Sequence, residues 1–352
     1  MKTFLIILLA LIIGGGGGYF VYSKYFKNQA AFSTSPSRIV TAQNYKEPFQ
    51  WGINVNPSPV RNYSLEMWTK QMKYVNDLGC GWIRLVYGAN ISNRLEIFDE
   101  MVNDADKRNI QVLLSLDSTE PVQTISNPYD DGYKVAKEVA EHYKGKIKYY
   151  QILNEIGGTV VKGPEYGGEE ESDIDNQKYN QVKEWSKGAI EAIRKIDPDA
   201  YIVIDSFWTH YKVIEMLVRD GIEFDILGWN WYSDMKMMGD KKLADGSLLV
   251  DKLKSFGKPI ILAEVNGAPI NGRVNENSQA QFIQDMADWA YNSGIINGFY
   301  VHELVDIAPT PTREEGYFGL IKFKKASDGG YTYGDLKKAY GTYKELIADY
   351  SK

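Results

Sequence analysis

Short apolar segments alternate with longer amphipathic segments along most of the chain from residue 51 onward. The short segments show little alternation of apolar and polar positions, which is typical of strands buried on both faces of a parallel sheet. Eight strands are predicted in this way: WGINV (51–55), WIRLVY (82–87), IQVLLSL (110–116), YYQIL (149–153), YIVID (201–205), FDILGW (224–229), PIILAE (259–264) and GFYVHEL (298–304).

The segments between the strands repeat apolar residues with the 3.6-residue period of a helix. Such patterns cover residues 64–79, 94–109, 133–145, 179–198, 277–294 and 333–350. Eight strands that alternate with helices predict an α/β fold, a single (β/α)8 barrel of the TIM type. The alternative is an open doubly wound sheet, which usually has fewer strands and often a glycine fingerprint after the first one. The stretch WGINVNPSP (51–59) lacks that fingerprint.

The N-terminus carries an apolar stretch, from Phe4 to Tyr22, with lysines on both sides. Its length roughly matches the span of about 20 residues that a membrane helix needs, and no A-x-A cleavage signal follows it. We therefore predict residues 1–28 to be an uncleaved signal-anchor, with a cleaved signal peptide as the alternative. Either reading predicts export. Residues 29–46 read as a linker, and residues 47–352 as the barrel domain.

The amino-acid composition restricts which binding partners and cofactors are expected. The net charge is -6 and the chain has no basic runs, which argues against nucleic acid as a partner. The single cysteine, Cys80, excludes an intrachain disulfide framework and a multi-cysteine zinc site. No two of the three histidines have the spacing of helical metal ligands, so neither a metal nor another cofactor is predicted. The 25 Tyr and 8 Trp suit carbohydrate binding, because their flat apolar faces cover sugar rings.

Polar side chains recur where the predicted strands end. In a barrel these ends meet at one face, which is where TIM-barrel chemistry takes place. Since each carboxylate there costs desolvation unless it is paired, such clustering predicts a functional site. The residues are Arg84, Asp117, Asn154, Glu155, Asp205, Asn230, Trp231, Tyr232, Glu264, Asn266, His302 and Glu303.

Two glutamates have the most informative context. Glu155 follows the fourth strand and Glu264 ends the seventh, so they face each other across the barrel mouth. Two carboxyls about 5–5.5 Å apart are what a retaining glycosidase requires. The dipeptide Asn-Glu alone is not specific: it recurs at Asn275-Glu276, which we interpret as a loop leading into a helix cap.

These motifs resemble the retaining glycoside hydrolases of clan A, which include the family 5 and family 39 types. The matching segments, in order, are WIRLVY, YYQILNE, ILGWNWYSD and PIILAEVNG, and GYFGLIKF (316–323) is similar to the closing segment. The resemblance covers roughly residues 47–350.

The resemblance implies a role for each matching residue. Glu155 would be the general acid/base and Glu264 the nucleophile that forms the glycosyl-enzyme intermediate. Asn154 would hydrogen-bond the sugar 2-hydroxyl. Tyr232 and Arg84 would hold Glu264 ionised and correctly oriented, Arg84 through its planar fork of donors.

The chain departs from the pattern at two places. Many relatives have a tryptophan at the end of strand 8, where this chain has His302 and Glu303. Glu303 is thus a candidate substrate contact or a competitor for a catalytic role. Some relatives have a histidine where this chain has Asn230. Of Trp229 and Trp231, which flank Asn230, we expect one in the core and the other, Trp231 in our assignment, in the cleft.

Two further features remain candidates for the cleft. Trp208, in the loop after the fifth strand, is one. The acidic loop 163–177 is interpreted as a solvated loop, with a calcium site or a substrate gate at the wall of the cleft as the sharper alternatives, although it lacks EF-hand spacing.

The prediction is therefore an exported retaining glycoside hydrolase that cleaves β-linked poly- or oligosaccharide without a cofactor. A non-catalytic carbohydrate-binding barrel that assists polysaccharide assembly is the alternative from another class. A transglycosylase with the same site is a third reading. The sequence predicts neither the sugar nor the oligomeric state.

Overall fold

The computed structural model describes residues 39–55, 65–88, 95–267, 275–307 and 314–352. The predicted membrane segment, residues 1–28, lies outside these ranges. Within them, no helix is both long enough and apolar enough to cross a membrane. The compact unit that contains the barrel begins at Ile39.

Eight parallel strands close into a barrel in the order in which they occur in the chain. They are β1 (Gln50–Asn54), β2 (Trp82–Tyr87), β3 (Gln111–Leu116), β4 (Tyr149–Ile152), β5 (Tyr201–Phe207), β6 (Ile226–Tyr232), β7 (Ile260–Asn266) and β8 (Ile296–Val301). The predicted (β/α)8 barrel is confirmed. The open sheet is excluded, because β8 pairs with β1.

Helices follow the strands on the outside of the barrel. The α-helices are Leu65–Leu78, Leu95–Lys107, Pro128–His142, Ile156–Val160, Asn176–Ile196, Lys212–Arg219, Leu249–Lys254, Glu276–Asn292 and Lys338–Tyr350. The helix at Glu276 is capped by Asn275, whose side chain accepts hydrogen bonds from the N–H groups of Asn277 and Ser278. The second Asn-Glu dipeptide is thus a helix cap, as the sequence indicated.

An antiparallel hairpin replaces the beginning of the last predicted helix. Strands β9 (Ile321–Lys325) and β10 (Tyr331–Leu336) pair across a turn in which Gly329 has φ 86°. Aromatic and β-branched residues at 331–333 favour a strand, and the turn demands a residue that tolerates positive φ. The prediction of a helix from residue 333 is therefore wrong, and the helix begins at Lys338.

The interior of the barrel holds a small apolar cluster, which includes Tyr149, Tyr201 and Tyr300. Gly52 makes room for Tyr300: a Cβ at this position would lie 2.3 Å from Cδ1 of the Tyr300 ring. The same cluster contains Val40 and Tyr45, which lie in the predicted linker. Because Tyr149 and Tyr201 begin their strands, this part of the linker segment packs against the N-terminal end of the barrel.

Candidate active site

The turn after β4 presents Asn154 and Glu155 at the mouth of the barrel. Leu153 and Glu155 have φ values of 60° and 47°. Residues other than glycine rarely adopt this left-handed region, and each such residue costs about 1–3 kcal/mol. The turn ends the strand abruptly and starts the short helix at Ile156. The strain is therefore concentrated at the residue predicted to be the acid/base.

A bulge in β7 directs Glu264 into the barrel. Trp229 of β6 pairs with Leu262, whereas Asn230 pairs with Glu264, so Ala263 is an extra residue in β7. Side chains alternate along a strand, and Ile261 belongs to the interior cluster. Regular alternation would turn Glu264 outward, and the extra residue turns it inward. The Asn54 amide donates a 2.9 Å hydrogen bond to the Ala263 carbonyl at the bulge.

Arg84 joins the strands beneath the site. Its side chain is 1% exposed. Its guanidinium donates to Gln151 (2.8 Å), Asn54 (2.6 Å), Glu264 Oε1 (2.7 Å) and Asn154 Oδ1 (2.7 Å). A planar cation with several fixed donors can hold a carboxylate and orient neighbouring amides at the same time. Arg84 thus links the turn that carries Glu155 to the bulge of β7 that carries Glu264.

Tyr232 completes the environment of Glu264. Its hydroxyl donates a 2.6 Å hydrogen bond to Oε2, the carboxylate oxygen that Arg84 does not bind. Burial alone would raise the pKa of Glu264. The charges of His302 and Arg84 and the hydrogen bond from Tyr232 outweigh it, so the pKa is lowered. An ionised carboxylate held from both oxygens is suited to act as a nucleophile.

The side chain of Glu155 is held by Asn230, which lies on β6 two residues before Tyr232. The Asn230 amide donates a 3.0 Å hydrogen bond to Glu155 Oε1. Asn230 and Tyr232 are two residues apart, so both project from the same face of β6, about 6.6 Å apart along the strand. One strand therefore contacts both glutamates. The structure brings together six of the predicted site residues: Arg84, Asn154, Glu155, Asn230, Tyr232 and Glu264.

His302 and Glu303 lie just past the end of β8, not within it as predicted. His302 Nδ1 is 3.7 Å from Glu264 Oε2, and its ring packs against Tyr232 and Phe318. His302 is thus adjacent to the predicted nucleophile. Glu303 is only 2% exposed. Its predicted roles, as a substrate contact or as a competitor for a catalytic role, stay predictions.

Of the two tryptophans predicted to line the cleft, Trp231 is buried and Trp208 is partly exposed. Trp231 is fully buried and donates to the Lys236 carbonyl at 2.7 Å, so the expectation that it lines the cleft is wrong. Trp229 is buried as well, because odd-numbered positions of this part of β6 face the helices. Trp208 is partly exposed and stacks on Trp231 at 6.0 Å between ring centroids. The Lys241 ammonium lies 3.5 Å from the Trp208 ring centroid.

Two polar residues that hold Arg84 were missing from the predicted set, and a third residue was predicted at a strand end but without a role. Asn54 and Gln151 fix Arg84, and Asp205 accepts a 2.9 Å hydrogen bond from the Glu155 N–H. The signal was present, since each is a polar residue inside an otherwise apolar strand. In the described ranges, no three metal-ligating side chains cluster, and this includes the acidic loop 163–177.

Comparison with solved structures identifies similar barrels. The β-glucosidase from Thermotoga maritima in complex with azafagomine matches with a TM-score of 0.66 and 12% identity, over 87% of this chain and 98% of that one. The complex with cyclophellitol gives the same values. The family 1 β-glucosidase from the same organism gives a TM-score of 0.65 at the same identity and coverage. At this identity the likeness establishes the fold alone.

Sequence comparison identifies the family. No curated protein matches the chain. The family described as Cellulase (glycosyl hydrolase family 5) matches residues 45–300, which include all eight barrel strands up to Tyr300. The resemblance to clan A is confirmed, and the chain belongs to glycosyl hydrolase family 5.

Proposed function

We propose that the protein is a retaining glycoside hydrolase that cleaves β-glycosidic bonds in a poly- or oligosaccharide by double displacement. The observation that carries this proposal is the two-sided grip on Glu264, with Arg84 on Oε1 and Tyr232 on Oε2. Burial raises the pKa of Glu264, but the charge of His302 and this grip together lower it. A carbohydrate-binding barrel has no need of an ionised carboxylate held in this way, so the grip favours the enzyme.

In the first step Glu264 attacks the anomeric carbon while the bond from that carbon to the leaving oxygen breaks. Glu155 gives its proton to the leaving oxygen. In the second step ionised Glu155 takes a proton from water, which attacks the same carbon and releases Glu264. Asn154 presents its amide N–H to the sugar 2-hydroxyl, because its carbonyl oxygen is already bound by Arg84.

The stereochemistry of the first product tests this proposal. A panel of β-linked oligosaccharides, followed by ¹H NMR, should give the β-anomer first and the α-anomer only by later mutarotation. Initial α-anomer would indicate inversion and contradict the proposal. Longer products than substrates would identify a transglycosylase. Binding of a saccharide without any turnover would favour the non-catalytic alternative.

Two variants test the division of roles. Glu264→Ala should abolish turnover with the fold intact, and full activity in this variant would refute its role. Glu155→Ala should slow substrates with poor leaving groups by about 10²–10⁴-fold, the usual contribution of general acid catalysis. Activated aryl glycosides should be affected much less in their first step, because their leaving groups need no proton. Equal losses on both substrates would contradict an acid role.

Export belongs to the same proposal and rests on the apolar sequence Phe4–Tyr22. Residues 1–28 would anchor the barrel to a membrane of the cell envelope, or would be removed on secretion. Fractionation with intact-mass analysis separates these outcomes. The anchor predicts Met1-containing protein in the membrane fraction, and secretion predicts a shorter chain in the medium. Full-length protein in the cytosol would contradict both.

A further inference from the structure

Asp205 is a carboxyl near the two catalytic glutamates, and the resemblance implies no role for it. It lies on β5, fully buried, two residues after Val203 of the interior cluster. Its pairing partner on the adjacent strand β6 is Gly228, where a Cβ would lie 2.6 Å from the Asp205 Cβ. A glycine at that position thus provides the space that the Asp205 side chain occupies.

One oxygen of Asp205 is used to hold the main chain of Glu155. Oδ1 accepts the Glu155 N–H at 2.9 Å. Glu155 has φ 47° and ψ 52°, so its amide belongs to a strained turn. A buried N–H without a partner costs about 1–3 kcal/mol. The bond from Asp205 therefore stabilises the conformation that aims Glu155 into the site.

The other oxygen makes no hydrogen bond to any described residue. Three charged groups act on the carboxyl: Arg84 favours its ionisation, and Glu155 and Glu264 oppose it. Arg84 already forms an ion pair with Glu264, at 2.7 Å. An ionised Asp205 would thus be a buried charge with one unpaired oxygen and no cation of its own, which is a costly arrangement. Burial, the largest effect, raises the pKa of Asp205 well above its ordinary value.

We propose that Asp205 is a positioning residue that works as a neutral carboxylic acid: its carbonyl oxygen holds the Glu155 main chain, and it adds no negative charge beside the acid/base. This inference rests on the proposed function for its catalytic consequence, but not for its protonation state. The neutral form matters because a third ionised carboxyl in the site would change the protonation of Glu155 and Glu264.

The protonation state can be measured without any substrate. Infrared spectra of the full chain at pH 8 are compared between wild type and Asp205→Asn. Wild type carrying ¹³C-labelled aspartate assigns the bands to aspartate. A protonated-carboxyl C=O band that shifts on labelling and is missing in Asp205→Asn is expected. If wild-type spectra show no protonated aspartate at pH 8, the inference is overturned, and this readout does not depend on the folding of a variant.

The positioning role is measured by kinetics on β-glycosides of one sugar, chosen as the sugar whose 2-deoxy-2-fluoro β-glycoside forms a covalent label on wild-type Glu264 most rapidly. Asp205→Asn keeps both the acceptor and the neutral charge, so it should retain activity and the same basic limb of the pH profile. Asp205→Leu keeps the branched shape of the side chain but removes the acceptor. It should lose about 100-fold or more on a poor leaving group, as expected when acid catalysis fails, and much less on a dinitrophenyl glycoside.

Two results would contradict the inference. One is a basic limb that moves to lower pH in Asp205→Asn, because removing an ionised neighbour lowers the pKa of the acid. The other is an equal loss on both substrates in Asp205→Leu with an unchanged melting temperature. Absence of any wild-type label on Glu264 would instead count against the proposed function, and the infrared result would stand separately.

Discussion

Replacing Arg84 by methionine should destabilise the protein more than any loss of a surface charge. The variant leaves Glu264 buried without its ion-pair partner, and the Glu264 residue is 6% exposed. Removing one member of a buried pair costs about 3–5 kcal/mol. At roughly 2–4 °C per kcal/mol, the melting temperature should fall by roughly 6–20 °C.

The stability that Arg84→Met loses should depend on pH. In the wild type the pKa of Glu264 is lowered from 4.5, so its ionised form stabilises the fold above that pH, and this contribution is lost as the pH falls. Burial raises the pKa of Glu264, and the charge and hydrogen bond of Arg84 oppose this effect. In Arg84→Met both are lost, so the pKa of Glu264 rises and its protonated form is favoured. The deficit of the variant should therefore be larger at pH 7 than at pH 5.

The assay is denaturant unfolding of both proteins at the two pH values, with Arg108→Met as the matched control. Arg108 pairs with Asp104 at 3.2 Å, but both side chains are about a quarter to a third exposed. That surface pair should contribute about 0.5 kcal/mol or less. The reasoning is refuted if Arg84→Met costs no more than the control, or if its deficit is the same at both pH values.

The effects of three further substitutions are predicted. Tyr232→Phe removes a hydrogen bond of 2.6 Å to Glu264; bonds to charged groups contribute about 1.5–3 kcal/mol, so we expect roughly 10–100-fold slower labelling of Glu264. The acidic limb of the labelling rate should move to higher pH, and an unmoved limb would argue against the role of this bond. Gly52→Ala places a Cβ 2.3 Å from the Tyr300 ring and should cost about 1–3 kcal/mol or more. Gly341→Ala, in the last helix with nothing within 4 Å, should instead stabilise by about 0.5–1 kcal/mol. Similar melting temperatures for both alanine variants would contradict the packing described around Tyr300.

The barrel could be predicted because its signals are local. Runs such as WIRLVY and PIILAE are apolar throughout, and the helices between them have a clear period, so strand number and order followed directly. The hairpin at 321–336 could not be predicted so easily. Its second strand runs into the last helix, and Tyr333, Leu336 and Tyr340 are spaced as in a helix, which extended the predicted helix into the strand.

The orientation of site residues depends on features that the sequence does not reveal. Glu264 faces inward because Ala263 is an extra residue in β7, and a bulge leaves no composition signal. The expected division of Trp229 and Trp231 between core and cleft was wrong, because residues two apart in a strand share a face. Tyr232 and Asn230 contact the glutamates, so Trp231 must point the other way.

The central claim is that Glu264 forms a covalent glycosyl intermediate. The most direct measurement is the intact mass of the full chain after incubation with 2-deoxy-2-fluoro β-glycosides that carry good leaving groups, followed by peptide mapping. The account predicts a mass increase of one fluorosugar, located on Glu264, and its absence in Glu264→Ala. A label on Glu303 or Glu155, or no label from a broad panel while saccharides still bind, would contradict the account.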